Sequence, residues 1–536
     1  MDLAAFQHLP SDVRLFRDDT PAVLPMQRRG TDWIGEDVTA SLSPGLMSTS
    51  IRVHAPHSAV SRVAVRWAMT FPQTTLFLGD AWERAYGDLQ WRSMQSERVL
   101  PWYLAAHDPV SGQGLAVGVK TQPAAMCFWT ADPGGVSLWL DLRNGGCACV
   151  PGDRWIDAAT VVGVGAEPGQ TLTALIRRLC TRMCDAPRAV AAPVCGNNNW
   201  YYAYGQNFDA DQVRRDAALL AELAGDAINR PYCVIDAGWS PGSSCPGGPF
   251  TAGRPGKFPS MPRLAEDIGK TGVRAGIWIR PTALTVIDNP NRLRPGPQTA
   301  AEKPLDLTLP ENLASIHDDI ARMHQWGYQL IKHDFSTWDA LGRWGFEMGA
   351  EVADAGWHFA DRSRTNAEIL LRLYQTIRAA AGDAVLIGCN TVGHLAAGLF
   401  ELQRGGDDTS GRIWERTRRM GVNTLAYRLP QHGTFFQLDA DCVAHTDQTP
   451  WEKDRQWLDL VSRSGTSLFV SVDPMTISPQ VKFAMATALR RALAGGTREV
   501  EPVDLLTSTT PSRWTFDGQA VSYSWDEPDG PWPFKC

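Results

Sequence analysis

The stretch Leu330-Ile331-Lys332-His333-Asp334-Phe335 decides how the chain is read. Two aliphatic residues, a lysine and a histidine run into an aspartate, the pattern of a buried parallel strand that presents a carboxylate at a barrel mouth. Asp334 is read as a nucleophile. The plainer reading makes it the cap of the next helix, since Asp is a preferred N-cap. A second acidic group, Asp407-Asp408 after Gly405-Gly406, lies further along the same alternation and favours the chemical reading.

Working outward, the text on both sides alternates strand and helix. Asn199-Trp200-Tyr201-Tyr202-Ala203-Tyr204 is read as a first strand, Tyr232-Cys233-Val234-Ile235-Asp236 as a second and Ala275-Gly276-Ile277-Trp278-Ile279 as a third. After the opening stretch come Ala384-Val385-Leu386-Ile387-Gly388-Cys389, a short sixth strand over residues 399–402, Phe435-Phe436-Gln437-Leu438-Asp439 and Ser467-Leu468-Phe469-Val470-Ser471. Helical patterns separate them, notably at 311–326, 366–380 and 452–464, and Asp209 caps a helix that carries Val213, Ala217, Leu220 and Leu223 inward. Eight such βα units predict an α/β fold, a (β/α)8 TIM barrel; doubly wound sheets share the alternation.

Before about Val190 the text differs. Short alternating strands such as Val63-Ala64-Val65-Arg66-Trp67 and Val136-Ser137-Leu138-Trp139-Leu140, broken by Gly, Pro, Asp and Asn, predict a β-sandwich. A helical face at Leu172, Leu175, Ile176 and Leu179 leads out of it. At the other end Arg513-Trp514-Thr515-Phe516, Asp517-Gly518 and Ala520-Val521-Ser522-Tyr523-Ser524-Trp525 spell a hairpin. The expected organisation is a β-sandwich over residues 1–190, a catalytic barrel over 191–480 and a small C-terminal β appendage over 481–536. The Gly/Pro/Ser-rich loop at 240–259 follows the second strand, so it is expected at the catalytic face.

Composition narrows the partners. At 536 residues the chain is too long for one ordinary domain. A net charge of -7 with no long basic run argues against nucleic acid. No apolar stretch of about 18 residues spans a membrane, and the N-terminal text has no signal-peptide pattern. The 11 cysteines are odd in number and scattered, without paired zinc spacing, so they are read as reduced thiols of a cytoplasmic protein. Homo-oligomerisation is left open.

Barrel sites form at the C-terminal ends of the strands. That rule nominates Asp236, Arg280, Asp334, Cys389, Arg404, Asp407, Asp408, Asp439, Asp441 and Asp473. Carboxylates dominate, and two of them facing across a mouth suit glycosidic bond cleavage, with retention when they stand about 5–5.5 Å apart. Lys332, two residues before Asp334, points to the same side of its strand and is expected to hold Asp334 ionised or to donate to a sugar hydroxyl. Trp239 and Trp278 are candidates to floor a sugar subsite. Asp439, Asp441 and His445 offer mixed metal ligands without a recognised spacing, so no metal is expected.

Five strand-end motifs, Ile235-Asp236-Ala237-Gly238-Trp239, Gly276-Ile277-Trp278-Ile279-Arg280-Pro281, Ile331-Lys332-His333-Asp334, Gly388-Cys389-Asn390 and Gly406-Asp407-Asp408-Thr409-Ser410, fall in a telling order. They resemble the clan D retaining α-glycosidases of glycoside hydrolase families 27 and 36, whose best-known members are α-galactosidases. The resemblance spans about residues 196–475, and the β-rich region before it matches the N-terminal sandwich of family 36. It implies Asp334 as nucleophile and Asp407 as general acid/base, with Asp408 as the alternative. Sugar contacts are expected from Asp236, Trp239, Trp278, Arg280, Lys332, Cys389, Arg404 and Asp408, with packing as the alternative for Cys389 and the two tryptophans and neutralisation of the acidic pair as the alternative for Arg404; the resemblance implies an oligosaccharide or α-glycoside substrate and no cofactor.

Two departures bear on specificity. Ala237 stands where the clan has a second aspartate, which implies loss of contacts to the hydroxyls that distinguish galactose, and Arg280 stands where it has a glutamate. A guanidinium there suits a carboxylate or sulfonate, so an anionic glycone is the alternative. Transglycosylation is a further alternative. The rival from another class is a non-catalytic carbohydrate-binding protein on a degenerate barrel.

Overall fold

The computed structural model describes residues 3, 6, 8–18, 23–45, 47–297, 302–497 and 499–526. Strands Gly196–Asn198, Tyr232–Ile235, Arg274–Ile279, Leu330–His333, Val385–Gly388, Leu402–Arg404, Gln437–His445 and Ser467–Val472 form a closed barrel in sequence order. All neighbours pair in parallel, and the first strand closes on the eighth. The TIM-barrel expectation holds because strands such as Tyr232–Ile235 and Leu330–His333 are buried at every position, as a sheet covered on both faces requires.

The first strand differs from its expected place. It is Gly196–Asn198, and Trp200–Ala203 is one helical turn beyond it. The Tyr-rich run looked like the strand by β-propensity, but close packing rules: a Cβ on Gly196 would lie 1.9 Å from the Tyr232 carbonyl oxygen. The seventh strand runs on to His445 through an irregularity between Asp439 and Cys442, where Asp441 takes φ 73°.

Outer helices start where their caps dictate. The Asp209 side chain accepts from Gln212 N ahead of Ala210–Ala224, and Thr365 and Glu368 form a reciprocal capping box ahead of Asn366–Ala380. Pro479–Ala494 packs beside both Ala210–Ala224 and Trp451–Arg463, completing the helical layer. Beyond it, Val500–Pro502, Arg513–Phe516 and Gln519–Ser522 form a three-stranded antiparallel sheet on the barrel. Asp517 and Gly518 turn its hairpin with φ 48° and 81°, the two left-handed positions that such a turn requires. The rest of the expected appendage, residues 527–536, lies outside the described residues.

Ahead of the barrel, a six-stranded and a nine-stranded sheet are built from antiparallel pairs. In Asp12–Phe16 the buried positions are Val13 and Leu15, the alternation of a strand with one face on a core. Met126–Asp132 is instead buried at its first four positions. The sandwich meets the barrel through aromatic contacts: Trp102 stacks on His394 with centroids 4.9 Å apart. No helix among the described residues is long and apolar enough to cross a membrane.

One segment of the sandwich matters to the site. Arg428 and Gln431 each donate to Asp80 at 2.7 Å, and Trp82 Nε1 donates to the Gly349 carbonyl at 2.9 Å. Ala85 then pairs with the end of the sixth barrel strand: Ala85 N donates to Gly405 O and Asp407 N donates to Ala85 O, both at 2.8 Å. Residues 80–86 are thereby laid across the barrel mouth.

Candidate active site

A cavity of about 300 Å³ opens at the C-terminal ends of the barrel strands. Asp236, Trp278, Lys332, Asp334, Asp407 and Asp408 all line it; four of them, Asp236, Asp334, Asp407 and Asp408, are among the ten residues that the strand-end rule nominated. Asp334 extends the ladder, with its N–H donating to Ile279 O at 3.0 Å. Its carboxylate accepts from Phe335 N at 2.8 Å and from Trp278 Nε1 at 3.2 Å. Phe335 adopts φ 62°, a rare conformation for an aromatic residue that turns the chain sharply at this point.

Lys332 is not Asp334's direct partner. Its Nζ lies 2.7 Å from Asp236 Oδ2, which also accepts from Asn198 Nδ2 at 2.6 Å, while Asp236 Oδ1 accepts from Ala237 N at 2.8 Å. Burial works against the ammonium, but Asp236 first, and Cys389 and Asp334 further off, hold its pKa well above that of a free lysine. A rigid carboxylate and ammonium, side by side, present an acceptor and a donor to a polyol.

The acidic pair is wrapped in arginine. Asp407 accepts from Arg416 Nη2 at 2.6 Å and faces Arg84 Nη2 at 3.2 Å. Asp408 lies 3.0 Å from Arg404 Nη2 and 3.7 Å from Arg84 Nη1. Burial disfavours the Asp408 anion, yet Arg404, Arg84 and Lys332 outweigh it and hold the carboxyl well below the usual range. Arg404 stays behind the wall, 1% exposed, bridging Asp408 to Asp441 at 3.0 Å each. It supports the pair and does not line the cavity.

Three more expected sugar contacts sit behind the wall. Trp239 is 0% exposed, donates to the Trp278 carbonyl at 2.8 Å and packs against Phe250 and Trp326. Cys389 is buried beside Arg404, with its sulfur 3.6 Å from Nη1. Arg280 is 2% exposed and grips Asp339 with two bonds, 2.6 and 3.0 Å, while its guanidinium lies 4.2 Å from the Phe335 ring centre. It buttresses the turn that carries Asp334, so its charge does not face the cavity. His445 pairs with Asp454 and Asp441 with Arg404, and among the described residues no three His, Cys, Asp or Glu side chains are grouped to hold a metal.

Sequence reasoning missed much of the wall. Arg84 and Tyr86 come from the sandwich, Trp200 from the helical turn after the first strand, and Cys245, Phe335, Trp344 and Phe346 from the segments after the second and fourth strands. Cys245 belongs to the Gly/Pro/Ser-rich loop expected at this face. The only signal for the sandwich residues was Trp82-Glu83-Arg84-Ala85-Tyr86, charges set among aromatics with no strand pattern. Glu83 is 0% exposed and accepts from Gly345 N at 2.9 Å, from Asn390 and from the Tyr86 hydroxyl.

A TIM barrel behind a β-sandwich, with acidic strand ends around one cavity, is an architecture found among glycosidases. No protein-family model and no curated protein matches the chain. Solved structures do. An α-galactosidase of Thermus thermophilus, in complex with p-nitrophenyl α-D-galactopyranoside, aligns over 96% of this chain and 99% of its own at TM-score 0.63 and 17% identity. The family 36 α-galactosidase AgaA of Geobacillus stearothermophilus aligns over 94% and 79% at 0.62 and 13%. The galactosidase domain of the α-galactosidase-sucrose kinase AgaSK aligns over 92% and 70% at 0.56 and 13%. At such identities the likeness is one of fold.

Proposed function

We propose that the protein is a retaining α-glycosidase of the α-galactosidase type, with Asp334 as nucleophile and Asp407 as general acid/base. The observation that carries the reading is that Asp334 and the Asp407–Asp408 pair line one cavity at the catalytic end of the barrel. Asp334 attacks the anomeric carbon while Asp407 protonates the departing oxygen; Asp407 then deprotonates the water that releases the sugar. Asp236 and Lys332 receive glycone hydroxyls, and Trp278 orients Asp334 through its indole N–H. If a second sugar replaces water, the same steps transfer the glycosyl group. No cofactor is needed. The cysteines of the described residues are free, which supports a reducing, cytoplasmic location.

The neutral glycone is favoured over the anionic one, because Arg280 is held by Asp339 behind the wall. Ala237 and Cys245 leave part of the cavity without a carboxylate. The test is Asp334→Ala with azide: rescue that yields a glycosyl azide identifies the nucleophile, whereas undiminished hydrolysis removes Asp334 from that role. A wild type that binds α-galactosides without cleaving any α-glycoside is the carbohydrate-binding rival.

A further inference from the structure

The residue nearest to joining the two halves of the molecule is Arg84. It is 5% exposed, and its two Nη atoms are shared between Asp407 and Asp408 at 3.2 and 3.7 Å. Both of its chain neighbours are pinned: the Ala85 main chain exchanges two hydrogen bonds with Gly405 and Asp407, and the Glu83 carboxylate accepts from Gly345 N and Asn390. The guanidinium plane is boxed by Trp344 and Tyr86, at 5.4 and 5.8 Å from their ring centres. The residue lines the cavity, and its Nε is buried without a hydrogen-bond partner among the described residues.

Adjacent carboxylates in a confined site tend to share one proton, and the pair then titrates as a unit. A cation between them opposes that sharing. We propose that Arg84, a residue of the sandwich, is a positioning residue for the acid/base step: it keeps Asp407 and Asp408 as two separate carboxylates, so that Asp407 alone exchanges the proton with the leaving group. This rests on the glycosidase reading above and assigns the sandwich a part in the chemistry of the barrel.

Other charges face the pair as well. Arg416 contacts Asp407 from the helical segment after the sixth strand, Arg404 contacts Asp408 from the sixth strand itself, and Asp441 of the seventh lies behind Arg404. Lys332 and Asp334 of the fourth strand, with Asp236 beyond the second, share the cavity, and Glu83 and Tyr86 flank Arg84. Arg84 differs from the others in reaching both carboxylates.

The experiment compares wild type, Arg84→Gln and Arg84→Lys. With Arg84→Gln the alkaline limb of kcat/KM is expected to move up by about one pH unit. Hydrolysis of α-glycosides with poor leaving groups falls about tenfold or more, while dinitrophenyl α-glycosides, which need little acid assistance, lose far less. Arg84→Lys restores the limb in large part. An unmoved limb, or an equal loss for both leaving groups, overturns the proposal and leaves Arg84 a packing residue. Carbon NMR of chain labelled at the aspartate carboxyls, with Asp407→Asn and Asp408→Asn for assignment, reads the pair without substrate. If wild type cleaves no glycoside, the functional reading falls, and titration of the pair unchanged by Arg84→Gln separately overturns the role of Arg84.

Discussion

Lys332 and Asp236 form a buried ion pair at 2.7 Å, with side chains 11% and 4% exposed, linking the fourth barrel strand to the end of the second. Both point into the cavity, so the pair serves as recognition surface and as a tie across the barrel mouth. An ion pair so placed is costly to break from one side, because the remaining charge has no water to return to.

Asp236→Asn is therefore expected to destabilise the protein by about 3 kcal/mol, the usual cost of stranding one member of a buried pair. Asp236→Asn with Lys332→Met should recover most of that loss while remaining inactive. Urea unfolding of the two variants checks this. Equal destabilisation of both would show that packing, not the stranded ammonium, is responsible.

Burial of Asp216 predicts an opposite effect. The carboxyl is raised to about 7 by burial, despite hydrogen bonds from Tyr202 and Gln212 that favour the anion. A folded-state pKa above the unfolded one means that the folded protein binds more protons between about pH 4 and 7, so stability falls as pH rises through that window. Asp216→Asn removes the penalty but loses one hydrogen bond. It should stabilise the protein by about 2 kcal/mol at pH 8 and destabilise it by about 1 kcal/mol at pH 4. Denaturation at the two pH values tests the change of sign.

The sequence revealed the barrel where burial leaves a mark. Apolar runs such as Leu330-Ile331 and Val234-Ile235 ran on to carboxylates, and the cap Asp209 marked the helix that it starts. It hid the first strand because Gly196-Asn197-Asn198 holds no apolar side chain. It hid Arg84 because contact with Asp407 depends on how two halves of the chain dock, which no local periodicity encodes. Arg280 was misplaced for a related reason: its partner, Asp339, lies on the helix Ser336–Leu341 beyond a turn whose geometry the text does not show.

Arg280 gives a prediction on selectivity. With its guanidinium bound to Asp339, the wild type should cleave a nitrophenyl α-galacturonide no faster than the neutral α-galactoside, as measured by kcat/KM. Arg280→Gln should leave that ratio in place while lowering stability by about 3–5 kcal/mol through the stranded Asp339. A variant that keeps full stability but loses preference for a uronide would return Arg280 to the sugar site.

Phe335 separates backbone strain from side-chain packing at the turn after Asp334. At φ 62° and ψ 1° it holds a left-handed conformation that a β-carbon disfavours by about 1 kcal/mol. Its ring packs against Arg280, Trp278 and Trp344, so any truncation loses those contacts equally. Phe335→Gly should consequently be more stable than Phe335→Ala by about 1 kcal/mol, although glycine is the more flexible residue when unfolded. Both should lose activity, because Phe335 N, which donates to Asp334 at 2.8 Å, is aimed by this turn. If alanine proves the more stable of the two, the turn relaxes in the protein and the left-handed conformation does not fix the Asp334 carboxylate.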